Sequence, residues 1–208
     1  MSATPYSQKE EKLNVLSHAL GVIFALIVMW DLFSQGENIK AHISTIIYGT
    51  SLFILFLAST LYHASTHPRL RAFYKKCDHC AIYVLIAGTY SPFLLLSLEG
   101  YWSWLPFIFI WTVALAGVIY KALIINGSEK VSLATYLLMG WFAVVIIYPL
   151  YLNIDIYALY WLVSGGLLYS VGTFFYSVNS LRYNHAIWHL FVIAGCVCHY
   201  IAISKYVY

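Results

Sequence analysis

Seven stretches of this chain are each apolar over close to the length that crosses a lipid bilayer, and this pattern restricts the fold more than any other feature. They run over about Leu13–Phe33, Ile43–Ala64, Cys80–Leu98, Trp102–Leu123, Val131–Leu150, Ile156–Ser177 and His185–Tyr206. A transmembrane helix needs roughly 20 predominantly apolar residues, because a rise of about 1.5 Å per residue has to cover about 30 Å of hydrocarbon. Within hydrocarbon every backbone N–H and C=O must be satisfied inside the segment, which a helix achieves for a single run. The expected fold is therefore an all-α membrane protein, a seven-transmembrane-helix bundle. Composition agrees: only 9% of the 208 residues are charged, against about 25% in soluble domains. The 19 tyrosines, 7 tryptophans and 12 phenylalanines suit side chains that anchor at both lipid interfaces. The first run is too long for a signal-peptide core and lacks a small-residue cleavage site after it, so it is expected to remain as a helix.

Charge sets the expected orientation. With the N-terminus cytoplasmic, the inner segments hold Lys9, Lys12, Arg69, Arg71, Lys75, Lys76, Lys121, Lys130 and Arg182, and the outer segments hold only Lys40 and Lys205. Short cytoplasmic loops collect Lys and Arg, so the bias predicts an N-terminus inside and a C-terminus outside. The formal charge of +3 then reports topology and not nucleic-acid binding. Residues 1–10 read as a short cytoplasmic tail and 11–208 as a single transmembrane domain.

This topology brings three polar clusters to one depth at the inner side. Run 2 ends there with Ser59 and His63, run 3 begins there just after Asp78, and run 7 begins there at His185. His185 and His189 are four residues apart, one turn along the same helix face, a spacing that lets two imidazoles hold one metal ion. His63 can supply a third nitrogen. Ser59 sits one turn deeper, and Asp78 could hold a water or orient a ligand. Three ligands with one open position describe a catalytic zinc site, whereas structural zinc is usually closed by four. Spacing alone leaves zinc, copper, iron and nickel open, and histidines in a bundle core can also simply hydrogen-bond. His199 lies ten residues beyond His189, about 15 Å along the axis, too far to share the ion. Glu11, Asn14 and His18 share one face of the first helix at the same end. They either line the mouth of the cavity or serve the helix terminus and interhelix bonding.

Other motifs carry less. Cys77–Cys80, a C-x-x-C at the cytoplasmic face, reads as reduced packing thiols, as do Cys196 and Cys198. Pro92, Pro106 and Pro149 fall inside runs and should bend them, and Gly165 and Gly166 should permit close helix packing.

The stretches "EEKLNVLSHALG", "FLASTLYHAS", "KKCDHCAIYVLIAGTYSPF" and "YNHAIWHLFVIAGCVCHY" together resemble the hemolysin III family, the bacterial branch of the progestin and adipoQ receptor (PAQR) superfamily. The resemblance covers essentially everything after residue 10. It implies seven helices with the N-terminus inside, location in the bacterial inner membrane, and a zinc ion near the cytoplasmic side. On that pattern His63, His185 and His189 match the zinc ligands, Ser59 the serine of S-x-x-x-H, and Asp78 the aspartate beside the zinc-bound water.

Two readings of function stand side by side. One is a zinc-dependent intramembrane hydrolase of a lipid amide or ester, with membrane lipids as substrate; the superfamily's similarity to ceramidases implies it. The other is a non-enzymatic sensor or regulator of membrane state in which zinc is a structural staple. A channel, transporter or lytic protein ranks behind them, since Asp31 near the outer end of the first helix is almost the only other charge inside a run. A retinal protein would need a lysine midway along the last helix, where only Lys205 at the outer end occurs.

Overall fold

The computed structural model describes residues 6–124, 128–178 and 180–208, and every regular element among them is helical. Helix α1 (Gln8–Gln35) begins where the Ser7 side chain accepts the Glu10 N–H at 3.2 Å, a serine cap that satisfies one of the free donors at the helix start. Its buried residues, Glu10, Asn14, His18, Gly21, Ala25, Val28 and Leu32, recur every three or four positions and form one stripe. Leu16, Leu20, Ile23, Ile27 and Trp30 stand exposed, the apolar surface that lipid requires. At Gly21 a Cβ would run into the Phe56 ring, so glycine lets α1 close on α2 (Ile39–Ala64).

Helix α3 (Pro68–Leu96) starts at Pro68 and not at Cys80, which corrects the boundary read from hydropathy. Proline fits the first helical position because its missing N–H would be unpaired there anyway. The Arg, Leu, Ala and Lys residues that follow are good helix formers. Hydropathy registers the apolar part of α3 but not its polar first turns. Asp78 consequently lies within α3, not ahead of it.

After α4 (Gly100–Leu123) the fifth apolar run is broken. It comprises α5 (Glu129–Gly140), a 3-10 turn over Trp141–Val144, and α6 (Ile147–Asn153), and the two pieces meet at a bend of 46°. Pro149 explains the break. It cannot donate to the carbonyl four residues back, and its ring crowds that carbonyl. The turn ahead of it is served by Tyr90 of α3, whose hydroxyl lies 2.6 Å from the Gly140 carbonyl and accepts the Ala143 N–H at 2.8 Å. Freed backbone groups at membrane depth need such a partner.

Helices α7 (Ile156–Ser177) and α8 (Asn184–Tyr206) complete the chain. Among the described residues six helices are long and apolar enough to span a membrane, and the bent α5–α6 pair would be a seventh. The order of neighbours is α4, α3, α2, α1, α8, α7, each packed extensively on the next, while α5 and α6 touch the rest only sparsely. At one end α1 and α8 are tied through Asp31, whose Oδ2 accepts from Gln35 at 2.7 Å, Tyr200 at 2.7 Å and Ser204 at 3.1 Å.

Candidate metal centre

At the opposite end of these helices, His63 from α2 and His185 and His189 from α8 converge. Their ligand nitrogens all lie within 4.8 Å of one another, and all three residues are buried. Tyr183, just ahead of α8, adopts a left-handed conformation (φ 61°, ψ 24°). For a non-glycine residue this costs about 1–2 kcal/mol, and it turns the chain immediately before the residues that carry the two histidines.

The outer nitrogen of every histidine is taken by a residue of the α1 segment. His63 Nδ1 lies 2.7 Å from Glu11 Oε2, His185 Nδ1 lies 3.0 Å from the Tyr6 hydroxyl, and His189 Nδ1 lies 3.1 Å from Ser17 Oγ. Two of these partners fix the tautomer. A carboxylate only accepts, so His63 carries its proton on Nδ1 and keeps the lone pair on Nε2. Ser17 donates its one hydrogen to the Asn14 carbonyl at 3.0 Å, so it must accept from His189 Nδ1–H, which leaves His189 Nε2 as a lone pair. His63 Nε2 and His185 Nε2 stand 3.1 Å apart. Metal-binding imidazoles need that form, with the other nitrogen held by a carboxylate, hydroxyl or carbonyl.

Glu11 is itself anchored. Arg71 Nη2 pairs with its second oxygen, and Arg71 Nη1 lies 3.3 Å from both the Tyr62 and Ser65 carbonyls. The first turns of α3 thus brace α1 and the end of α2 together. The Asn14 amide nitrogen sits 3.4 Å from His63 Nδ1, but a nitrogen already donating to Glu11 cannot also accept. Rotating the amide would direct its partnerless Oδ1 at that N–H, and the 2.7 Å Glu11 contact is the one that orients the ring. His18 stacks on His189, with centroids 3.5 Å apart at 12°, and meets the Phe56 ring edge-on.

Of the residues singled out from sequence, the three histidines form the group itself. Glu11 and Asn14 reach His63, and His18 reaches His189. Asp78 and Ser59 are buried and line, with His18, His185 and His189, a long cavity beside the group. The Ser59 hydroxyl has no hydrogen-bond partner among the described residues. Asp78 is outside the histidine group. His199 is apart as well, its Nε2 lying 3.1 Å from the Leu162 carbonyl. Sequence reasoning overlooked Tyr6, Ser17 and Arg71. Ser17 carried a usable signal, three residues after Asn14 on α1 and adjacent to His18. Arg71 carried none while its segment read as a loop.

Fold and site together define a multi-pass helical membrane protein with a buried three-histidine group that can hold a metal ion. The chain belongs to the haemolysin-III related family, whose sequence profile matches residues 6–200. It is 41% identical over 202 residues to Hemolysin-3 of Bacillus cereus, across 96% of this chain and 92% of that protein. It is 36% identical over 204 residues to the Hemolysin-3 homolog of Bacillus subtilis, across 97% and 96%. It is also 34% identical over 209 residues to the human Monocyte to macrophage differentiation factor, across 96% and 85%.

Proposed function

We propose that His63, His185 and His189 bind zinc and that the protein is an intramembrane hydrolase of a lipid amide or ester. The observation that carries this reading is the pairing of an open three-nitrogen group with a largely apolar cavity whose polar walls beside it are Asp78 and Ser59. The donor set fits: three neutral imidazoles, two with tautomers fixed to present Nε2, suit a borderline-soft divalent ion and leave a fourth position free. Zinc, when bound, supplies Lewis acidity and lowers the pKa of water toward neutrality. Asp78 then orients the attacking water and takes its proton. Ser59 donates a hydrogen bond to the substrate carbonyl oxygen. The apolar walls receive the acyl chain, and the sparse packing of α5 and α6 leaves that side of the bundle the easiest for a lipid to enter.

With nine of eleven Lys and Arg in segments on one side, the reading places the N-terminus and the metal centre at the cytoplasmic face of a bacterial inner membrane. The test is release of fatty acid, followed by mass spectrometry, from nanodiscs containing an N-acyl lipid, ceramide or phosphatidylglycerol. Metal-dependent release that Asp78→Asn abolishes, with zinc content unchanged, is the expected result. No release from any of the three by zinc-loaded protein would overturn the hydrolase reading and leave zinc as the staple of a membrane-state sensor.

A further inference from the structure

The cavity beside the histidine group is apolar along most of its length, yet further along α8 two polar rings return to its wall. His199 and Tyr169 both line it, with ring centroids 5.4 Å apart. His199 is ten residues beyond His189, about 15 Å along the helix. It is 7% exposed, and its Nδ1 has no partner among the described residues. Its Nε2 faces the Leu162 carbonyl, which only accepts, so the proton sits on Nε2 and Nδ1 is a lone pair without a donor. Among the described residues the Tyr169 hydroxyl has only the Cys196 sulfur, 3.1 Å away, and sulfur is a weak acceptor.

Both rings are seated by glycines. A Cβ at Gly165 would strike the His199 imidazole, and one at Gly195 would lie 2.8 Å from the Tyr169 ring. Unpaired polar atoms in an apolar interior cost free energy, so two glycine-made seats for two under-bonded rings describe a place awaiting a polar group, which meets the covered Nδ1 edge once the imidazole tilts toward the cavity. One group satisfies both: a hydroxyl, which donates to His199 Nδ1 while accepting from Tyr169.

We propose that His199 and Tyr169 form a second polar subsite that recognises a hydroxyl carried part-way along an acyl chain whose head lies at the histidine group. The inference deepens the lipid-substrate reading above and rests on it. It assigns the ligand class as hydroxyacyl lipids in preference to plain ones. A hydrogen bond of ordinary strength corresponds to roughly fivefold in affinity.

The experiment is competition, in detergent, of a fluorescent fatty acid by stearate and by stearates bearing one hydroxyl at successive mid-chain positions. It is run on the wild type, His199→Phe, Tyr169→Phe and Gly165→Ala. The expected result is a preference of about fivefold or more for one hydroxyl position, lost in His199→Phe and reduced in Tyr169→Phe, with stearate affinity kept. Tyr169→Phe removes one oxygen only and keeps the test open should His199→Phe not fold. Stearate binding with no positional preference, or a preference that survives both variants, would overturn the subsite and leave the acyl cavity intact. No stearate binding would overturn the acyl-cavity reading and the subsite with it.

Discussion

On the α1–α2–α8 side of the cavity, Glu11, Tyr6 and Ser17 each hold the outer nitrogen of one histidine, and Arg71 locks Glu11 to the end of α2. On the opposite side a membrane span is broken at Trp141–Val144, packs sparsely, and is tied by the Tyr90 hydroxyl, by Tyr136 to the His79 carbonyl at 2.9 Å and by Trp141 to Ser170 at 3.0 Å. The first wall is over-determined and the second under-determined. A metal site needs ligands held to within a fraction of an ångström before the ion arrives, whereas a wall that admits a bulky, flexible lipid is drawn from the least stable part of a fold. On the proposed reading one bundle meets both demands: the bonds that hold the outer nitrogens of His63, His185 and His189 come from α1 and from Tyr6 just ahead of it, and among the described residues none comes from α5 or α6.

The strongest way to break this contrast is to remove a ligand. His63→Ala should take bound zinc from about one ion per chain to none, read by inductively coupled plasma mass spectrometry on protein purified without chelator. Folding should persist, because the bundle contacts of α2 lie largely outside that residue. Zinc retained at full occupancy would mean that the three nitrogens do not form the site.

A subtler substitution tests whether the α1 partners matter. Glu11→Gln keeps the shape of the side chain but removes the charge that raises the basicity of His63 and pairs with Arg71. Zinc affinity should fall about 10–100-fold, the usual cost of losing a partner behind a ligand. Competition with a chromophoric chelator measures it, and an unchanged dissociation constant would reduce Glu11 to a helix-terminal charge.

The over-determined wall is also the part that was legible in the sequence. His185 and His189 announce themselves by their helical spacing in an apolar run, and His63, Ser59, Asp78, Glu11, Asn14 and His18 by being polar where lipid forbids it. Hydropathy likewise exposed the long spans, because bilayer thickness sets their length. What stayed hidden follows from the same physics. Arg71 sits in polar turns of α3 that hydropathy scores as a loop, although proline at the first position and good helix formers carry the helix outward to Pro68. Tyr6 precedes the helix that positions it, so no periodicity includes it. The fifth span read as one continuous run because Pro149 announces a bend without saying that Tyr90, some fifty residues earlier, accepts the broken turn.

Tyr90 therefore offers the sharpest probe of the weaker wall. Tyr90→Phe keeps the ring, which packs edge-on to Phe142 at 6.0 Å, and deletes only the oxygen that serves Gly140 and Ala143. Full exposure of these groups to hydrocarbon would cost several kcal/mol, but interhelix hydrogen bonds in membrane bundles are worth only about 0.6–1.7 kcal/mol, since the freed groups find other partners. Opening of the 141–146 segment should become roughly threefold to tenfold more frequent, the ratio that about 1 kcal/mol implies. Hydrogen–deuterium exchange in nanodiscs reads this directly at the Ala143 amide. Zinc affinity should not change, because among the described residues no bond to His63, His185 or His189 comes from α5 or α6. If exchange at Ala143 stays at the wild-type rate, the broken span is held by something other than this hydroxyl. If zinc affinity falls along with protection, the two walls are coupled, and loosening where a lipid enters is felt at the metal.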